Sequence, residues 1–411
     1  MASAEKPRIL VFSTLYPSSV RPNHGIFVET RLRKLVETGQ VHVRVVAPVP
    51  WFPLKDARFG EYALLARTPR REMHHGIDVL HPRYPLPPRV GMSVAPFCLT
   101  LGALGAVRRL IEEGFAFDLI DAHYYYPDGV AAALLATIFR KPFVVTARGT
   151  DINLIPRYAF PRRLIRWASA RANASISVCQ ALSNELERLG ADPARLIVLR
   201  NGVDLERFRP LDRAACRERL GIAPGPTLLS VGYLIERKGH HLVIEALARL
   251  PDFQLLIVGT GPERAALESL AASLGVSERV RFVGAVPQPE LAAYYSAADV
   301  LVLASSREGW ANVLLEAMAC GTPVVATRIW GTPEVVAAPV AGRLAAARTA
   351  ASLADAIEDL YAQLPSRADV RHYAEQFDWS ETTTGQLELF RRIIAGVRRG
   401  SAAADATIAD A

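Results

Sequence analysis

Residues 300–327 read V-L-V-L-A-S-S-R-E-G-W-A-N-V-L-L-E-A-M-A-C-G-T-P-V-V-A-T, which resolves into strand, loop, helix and strand. An aliphatic run opens the stretch, serines and a glycine break it, an apolar helical period follows, and Pro323-Val324-Val325 starts the next strand. A strand that returns through a helix to a second strand is the repeating unit of a parallel sheet covered on both faces. The alternation continues outward. Strand-like runs precede it at residues 228–231, 254–258 and 280–282, and an earlier series lies at residues 8–13, 41–47, 119–122, 143–146 and 175–178. Residues 196–210, with a turn at Asn201-Gly202, end that first series. The expected architecture is α/β, with two similar doubly wound halves, residues 1–200 and 201–379. Residues 380–399, with Leu387, Leu389, Phe390, Ile393 and Ile394 near one face, read as an amphipathic helix, and the alanine-rich tail 400–411 is expected to be disordered.

A length of 411 residues suits two domains of about 100–200 residues each, and two domains usually leave a cleft between them. Half of the residues are hydrophobic and 22% are charged, which excludes a mainly disordered chain. The net charge of +7 favours anionic partners such as nucleotides, phosphates or acidic lipid surfaces without choosing among them. Cys98, Cys179, Cys216 and Cys320 form no C-x-x-C pair and have no histidine at ligand spacing, so they read as reduced thiols of the cytoplasm. The apolar residues 9–15 are too short for a secretory signal core. The run 92–107, with Pro96 and two glycines, falls short of the roughly 20 residues that cross a bilayer.

Within residues 300–327, acids flank the turn. Ligands of open α/β sheets sit beyond the carboxyl ends of the strands, where helix N-termini attract phosphate. The amides of Gly309, Trp310, Ala311, Asn312 and Val313 are placed for that, Glu308 for sugar hydroxyls and Glu316 for a ribose diol. Taken as an isolated pair, Glu308 would cap the helix and Glu316 would be a solvated acid. Val258-Gly-Thr-Gly-Pro-Glu263 also follows a strand and opens a helix, so Gly259 and Gly261 would let backbone approach a nucleotide. A nicotinamide oxidoreductase is the weaker reading of that G-x-G, since Pro262 follows at once and Arg264 stands near the third-glycine position.

Six segments in order resemble the retaining glycosyltransferases of family 4, which have the two-domain GT-B fold with an interdomain cleft. Glu308, Glu316, Ala319, Gly321, Pro323, Val324 and Val325 match the family's E-x7-E and A-x-G-x-P-V-V signature. Residues 201–210, Lys238-Gly239, 258–263, 331–336 and 377–380 match further motifs. The resemblance implies Rossmann-like domains, the first (1–200, completed by helix 380–399) binding acceptor and the second (201–379) binding a nucleotide-sugar. It also implies that Lys238 grips the donor diphosphate as charge develops on the leaving group. The usual arginine five residues earlier is replaced by Tyr233, after Gly232. Either Arg237 supplies the missing charge or Tyr233 donates one neutral hydrogen bond; equally, Arg237 could point into solvent.

In the first half the resemblance puts His123 at a strand end near the donor sugar, Arg148 where many relatives carry histidine, and Gly25 where a helix N-terminus approaches the diphosphate. Asp151 would face the same cleft. No Asp-x-Asp motif appears, so transfer is expected to need no metal and no cofactor. Catalytic roles fall to His123, Lys238 and Glu308. The implied reaction moves a sugar from a nucleoside diphosphate, a UDP-sugar by resemblance, to a saccharide or lipid-linked saccharide acceptor in exopolysaccharide or cell-envelope glycan synthesis. A catalytically weak nucleotide-sugar-binding protein is the alternative prompted by Tyr233. Residues 157–171 mix Arg162, Arg163 and Arg166 with Leu164, Ile165 and Trp167. That pattern suits docking at the inner face of the cell membrane or, nearly as well, an ordinary surface helix with snorkelling arginines. No nucleic-acid-binding module accompanies the charge.

Overall fold

The computed structural model describes residues 6–409 except 55, 57, 59 and 88–90, with side chains through residue 399. The chain forms two units, Met1–Leu199 with Ser380–Ala411, and Arg200–Trp379.

The first unit is built on an eight-stranded sheet. In spatial order its strands are Leu196–Val198, Ala174–Ser177, Phe143–Ala147, Leu119–His123, Arg8–Phe12, His42–Val46, Ile77–Leu80 and Arg71–His74. All neighbours are parallel except the last pair, a hairpin. Arg8–Phe12 pairs with His42–Val46 on one side and Leu119–His123 on the other. The chain order therefore reverses between Arg8–Phe12 and Leu119–His123, the kind of switch point where strand-end loops diverge and ligands fit. Leu119–His123 is buried along its whole length, including Asp121 and His123. Such a strand is covered on both faces, which is why its two polar side chains must find partners inside the unit.

The second unit has a six-stranded, wholly parallel sheet in the order Val280–Gly284, Gln254–Val258, Thr227–Val231, Val300–Leu303, Val324–Thr327, Gly342–Ala345. Its switch point lies between Thr227–Val231 and Val300–Leu303, so the loops after these two strands diverge from one spot. Each sheet is closed by its own core. Ile9, Val11, Val28, Leu32 and Leu35 pack with Leu387, Phe390 and Ile394 in the first unit. Leu228, Leu255 and Ile257 pack with Val243, Leu247, Leu353 and Ile357 in the second.

Three expectations need correction. The run at residues 92–107 is part of a 22-residue helix, Gly91–Glu112, long and apolar enough by length and composition to cross a membrane. Its Leu99, Ala103, Val107 and Leu110 are fully buried against the first unit. Pro96 does not end this helix. It has no N–H to offer the Met92 carbonyl four residues back, and the Tyr126 hydroxyl donates to that carbonyl instead. At the other end, helix Ser380–Ala409 continues through residues 400–409, where disorder was expected. Alanine is the strongest helix former, so an alanine-rich stretch extends a helix already started by its packed face. Third, the hairpin strands Arg71–His74 and Ile77–Leu80 and the strand Gly342–Ala345 were not anticipated.

Candidate active site

In the second unit, Thr227–Val231 is followed by Gly232, by a tight turn at Glu236–Lys238, and by helix His240–Leu247. Gly239 enters that helix with φ 73°, and a Cβ there would lie 2.1 Å from the Ala304 carbonyl oxygen. The helix start is thereby pressed onto the loop after Val300–Leu303. Across this contact Lys238 Nζ donates to Glu308 Oε1 at 2.6 Å. The Ser305 hydroxyl donates to the same oxygen at 2.7 Å. Arg237 Nη1 lies 3.9 Å from Glu308 Oε2 and donates to the Arg307 carbonyl at 3.0 Å. The Ser306 amide returns a bond to the Arg237 carbonyl at 2.8 Å. Two cations and one carboxylate therefore share one spot at the switch point, and Arg237 is turned toward the Glu308 loop. Tyr233 is 56% exposed.

The remaining residues expected here divide by what they touch. Gly259 and Gly261 press on backbone: a Cβ at 259 would meet the Gly232 carbonyl oxygen at 1.9 Å, and one at 261 the Leu234 carbonyl oxygen at 2.4 Å. Their lack of side chain lets two loops of the protein stack on one another. Trp310 is buried, 6.1 Å from the Phe377 ring, with the Arg200 guanidinium 5.8 Å from its centroid. It anchors the loop Gly309–Ala311 rather than standing open. The Asn312 amide turns back to the Trp310 carbonyl, and its side-chain oxygen accepts from Asn201 at 3.4 Å. Val313 stands half-buried in the first turn of helix Asn312–Ala319. Glu316, further along, accepts from the Tyr295 hydroxyl at 2.7 Å. Desolvation raises its pKa, and Tyr295 and Arg207 work against the rise.

In the first unit, the switch point gathers a buried polar network. Arg148 Nη2 donates to His123 Nδ1 at 2.7 Å, so the ring proton resides on Nε2, which faces Asp121 Oδ2 at 3.3 Å. Asp121 Oδ2 also accepts from Gln386 Nε2 at 2.9 Å, and Gln386 Oε1 accepts from Arg31 Nε at 2.9 Å. Burial lowers the pKa of His123, and a protonated ring would turn a second N–H toward Arg148. Burial, with nearby Arg31, brings Arg148 down to about 9, still charged at neutral pH. His123 was expected to face the donor sugar. Here it is 1% exposed with both ring nitrogens engaged, and its contact with Arg148 fixes that guanidinium. Asp151 accepts from the amides of Tyr125 and Gly149, both at 2.7 Å, and so braces the loops after two strands. Gly25, at φ 72°, precedes helix Ile26–Glu37 and lies so close to Leu15 that a Cβ would come within 2.3 Å of its carbonyl group.

Arg31, Gln386 and Ser305 were missed from the sequence. Arg31 had a signal: it occupies the buried stripe of its helix with Val28, Leu32 and Leu35, where an arginine must have a buried partner. Gln386 had none, because its partners lie 265 and 355 residues away.

A switch-point site with clustered cations, on one of two doubly wound units of a single chain, is the build of a nucleotide-handling transferase. The family described as "Glycosyl transferases group 1" matches residues 212–377, and "Glycosyltransferase Family 4" matches residues 89–207. The chain belongs to these group 1, family 4 glycosyltransferases, and its fold is GT-B. It is 36% identical to a D-inositol 3-phosphate glycosyltransferase of Frankia alni over 69% of this chain and 76% of that protein. It is 30% identical to the putative teichuronic acid biosynthesis glycosyltransferase TuaC of Bacillus subtilis over 80% of this chain and 82% of TuaC. Among solved structures, sucrose-phosphate synthase from Thermosynechococcus elongatus superposes with a TM-score of 0.78 at 22% identity, covering 95% of this chain and 100% of that one. HepE of Anabaena, solved in complex with UDP, superposes with a TM-score of 0.72 at 24% identity, covering 94% and 100%. Family membership removes the oxidoreductase reading of Val258–Glu263.

Proposed function

We propose that this glycosyltransferase takes its sugar from a nucleoside diphosphate donor, UDP-linked, and passes it with retained configuration to an acceptor hydroxyl in cell-envelope or exopolysaccharide synthesis. The observation that carries the proposal is the Lys238–Glu308 contact at 2.6 Å, with Arg237 beside it. Two cations held at a helix start, with one carboxylate between them, suit a diphosphate whose charge grows as the glycosidic bond breaks. Arg237 takes the part left vacant by Tyr233. The second unit binds the donor and the first the acceptor. In the step itself, the bond from the sugar's anomeric carbon to the phosphate oxygen breaks and its electron pair leaves with the diphosphate. The acceptor oxygen bonds that carbon from the same face, and its proton passes to the departing phosphate oxygen. In the second unit Glu308 accepts hydrogen bonds from sugar hydroxyls; in the first, Arg148, held by His123, is a fixed positive charge. UDP bound in HepE and the teichuronic assignment of TuaC support the base and the pathway class.

The test is incubation with radiolabelled UDP-sugars and a polyprenyl-diphosphate-linked saccharide. Label moving into the lipid fraction with an unchanged anomer supports the reading. Release of free sugar alone, or inversion seen by NMR, contradicts it.

A further inference from the structure

The first unit carries a groove of about 1040 Å³ that no step above uses. It is at the upper end of the roughly 300–1,000 Å³ typical of small-molecule sites. Pro50, Trp51, Phe52, Tyr62, Leu86 and Met92 line it. Thr14, just past Arg8–Phe12, and Tyr124 and Tyr126, just past Leu119–His123, place it at the carboxyl ends of the two strands that frame the switch point. Among the described residues of its lining there is no aspartate, glutamate, lysine, arginine or histidine. Trp51, Tyr62 and Met92 are 58%, 55% and 49% exposed, a concentration of large apolar side chains that a monomer rarely leaves uncovered. A saccharide lying in this groove would leave most of its hydroxyls without partners, whereas a hydrocarbon chain asks for none.

Next to it, sharing Thr14, Pro50 and Tyr84, is a smaller pocket of about 200 Å³ that, unlike the groove, has ionisable side chains among its apolar ones. Ser18, Arg21, His24 and Thr68 line it. His24 Nε2 donates to the Thr14 carbonyl at 3.1 Å, which leaves Nδ1 to accept from Arg21 Nη2 at 3.0 Å. Arg21 also lies 3.3 Å from Glu61, whose side chain is 67% exposed, and a solvent-facing pair of that kind exchanges readily for a phosphate.

We infer that the groove and the pocket together recognise one single-chain anionic amphiphile, its hydrocarbon tail in the groove and its phosphate-bearing head against Arg21. This is the acceptor's lipid carrier, and the inference rests on the reading of the first unit as the acceptor side. The apolar lining supplies affinity for the tail, the adjoining cation fixes which end points inward, and the switch-point loops at Thr14 and Tyr124 lie where the two meet.

The test titrates the full chain with geranylgeranyl diphosphate below its micelle concentration and follows tryptophan emission, since Trp51 lines the groove. A saturable blue shift is expected, lost in Trp51→Phe, with inorganic diphosphate at least 100-fold weaker. Met92→Glu, at a half-exposed position that tolerates charge, should weaken prenyl diphosphate at least tenfold. UDP binding on the same samples reports the fold and the second unit. Equal affinity for hexadecyl phosphate would extend the site to linear chains, and preference for the prenyl compound would restrict it to isoprenoids. No prenyl binding by a protein that binds UDP, binding indifferent to Met92→Glu, or binding only to anionic vesicles would overturn the inference. Prenyl binding without any UDP binding would instead overturn the donor reading and leave the groove standing.

Discussion

Lys238 and Glu308 hold each other at 2.6 Å with side chains 17% and 10% exposed, so a diphosphate entering there meets a lysine already placed and already partly desolvated. Removing one preorganised charge-stabilising group typically costs a factor of about 100 or more in turnover. Lys238→Ala is therefore expected to lower kcat about 100-fold, with little change in melting temperature, in a UDP-release assay. Arg237→Ala should cost about tenfold, and Tyr233→Arg should recover part of that loss in the double variant; no recovery would detach Arg237 from the phosphate. A neighbouring group gives a pH prediction. His240 is buried, its Nδ1 is 2.9 Å from the Ser230 hydroxyl, and desolvation together with Lys238 lowers its pKa from 6.5 to about 4. The unfolded chain then binds the proton more tightly than the folded one. Stability from this group is complete above pH 6.5 and is lost as pH falls toward 4, by roughly 3 kcal/mol at most. Urea unfolding from pH 7.5 to 4.5 should show that loss, and His240→Gln should flatten the curve.

At the scale of elements, the structure turns on places where one backbone presses on another. Gly239 combines a left-handed φ of 73° with an approach of 2.1 Å between its missing Cβ and Ala304. Gly239→Ala must lift helix His240–Leu247 off the Glu308 loop, so donor binding should fall more than tenfold by calorimetry and the second unit should lose about 2 kcal/mol or more. Tyr126→Phe should cost about 1–3 kcal/mol, because it leaves the Met92 carbonyl beneath Pro96 without a donor. These contacts also mark what could be read beforehand. The parallel strands were legible because each is a short β-branched run between helical periods, and Lys238, Glu308 and Glu316 were legible through spaced motifs. Pro96 pointed the wrong way, because the group that excuses it, Tyr126, is 30 residues downstream. At Gly259 and Gly261 a glycine in a strand-end loop signalled close approach, and neighbouring backbone is one partner that the sequence did not name. The network of Arg31, Gln386, Asp121 and His123 was invisible because it joins a first-turn helix, a central strand and the last helix.

At the scale of the whole molecule, that network makes the two units unequal. Arg200–Trp379 is continuous in sequence and owns all six strands of its sheet and its own core. The first unit is not continuous: its core takes Leu387, Leu389, Phe390 and Ile394 from the last helix. Gln386 on that helix bridges buried Arg31 and Asp121, whose charges would otherwise lack this partner in the interior. Residues 200–379 expressed alone should therefore unfold cooperatively in urea and retain UDP binding. Residues 1–199 alone should not fold, since they expose the core face and strip one partner from each of two buried charges. Adding residues 380–409 in trans or by a linker should restore a cooperative transition. In that reconstituted unit Gln386→Leu should lower stability by roughly 2–4 kcal/mol, the range for leaving buried charged groups short of a partner. Cooperative folding of 1–199 by itself, or an unchanged transition in Gln386→Leu, would show that the last helix is an accessory and that the Arg31–Gln386–Asp121 chain does not hold the first unit together.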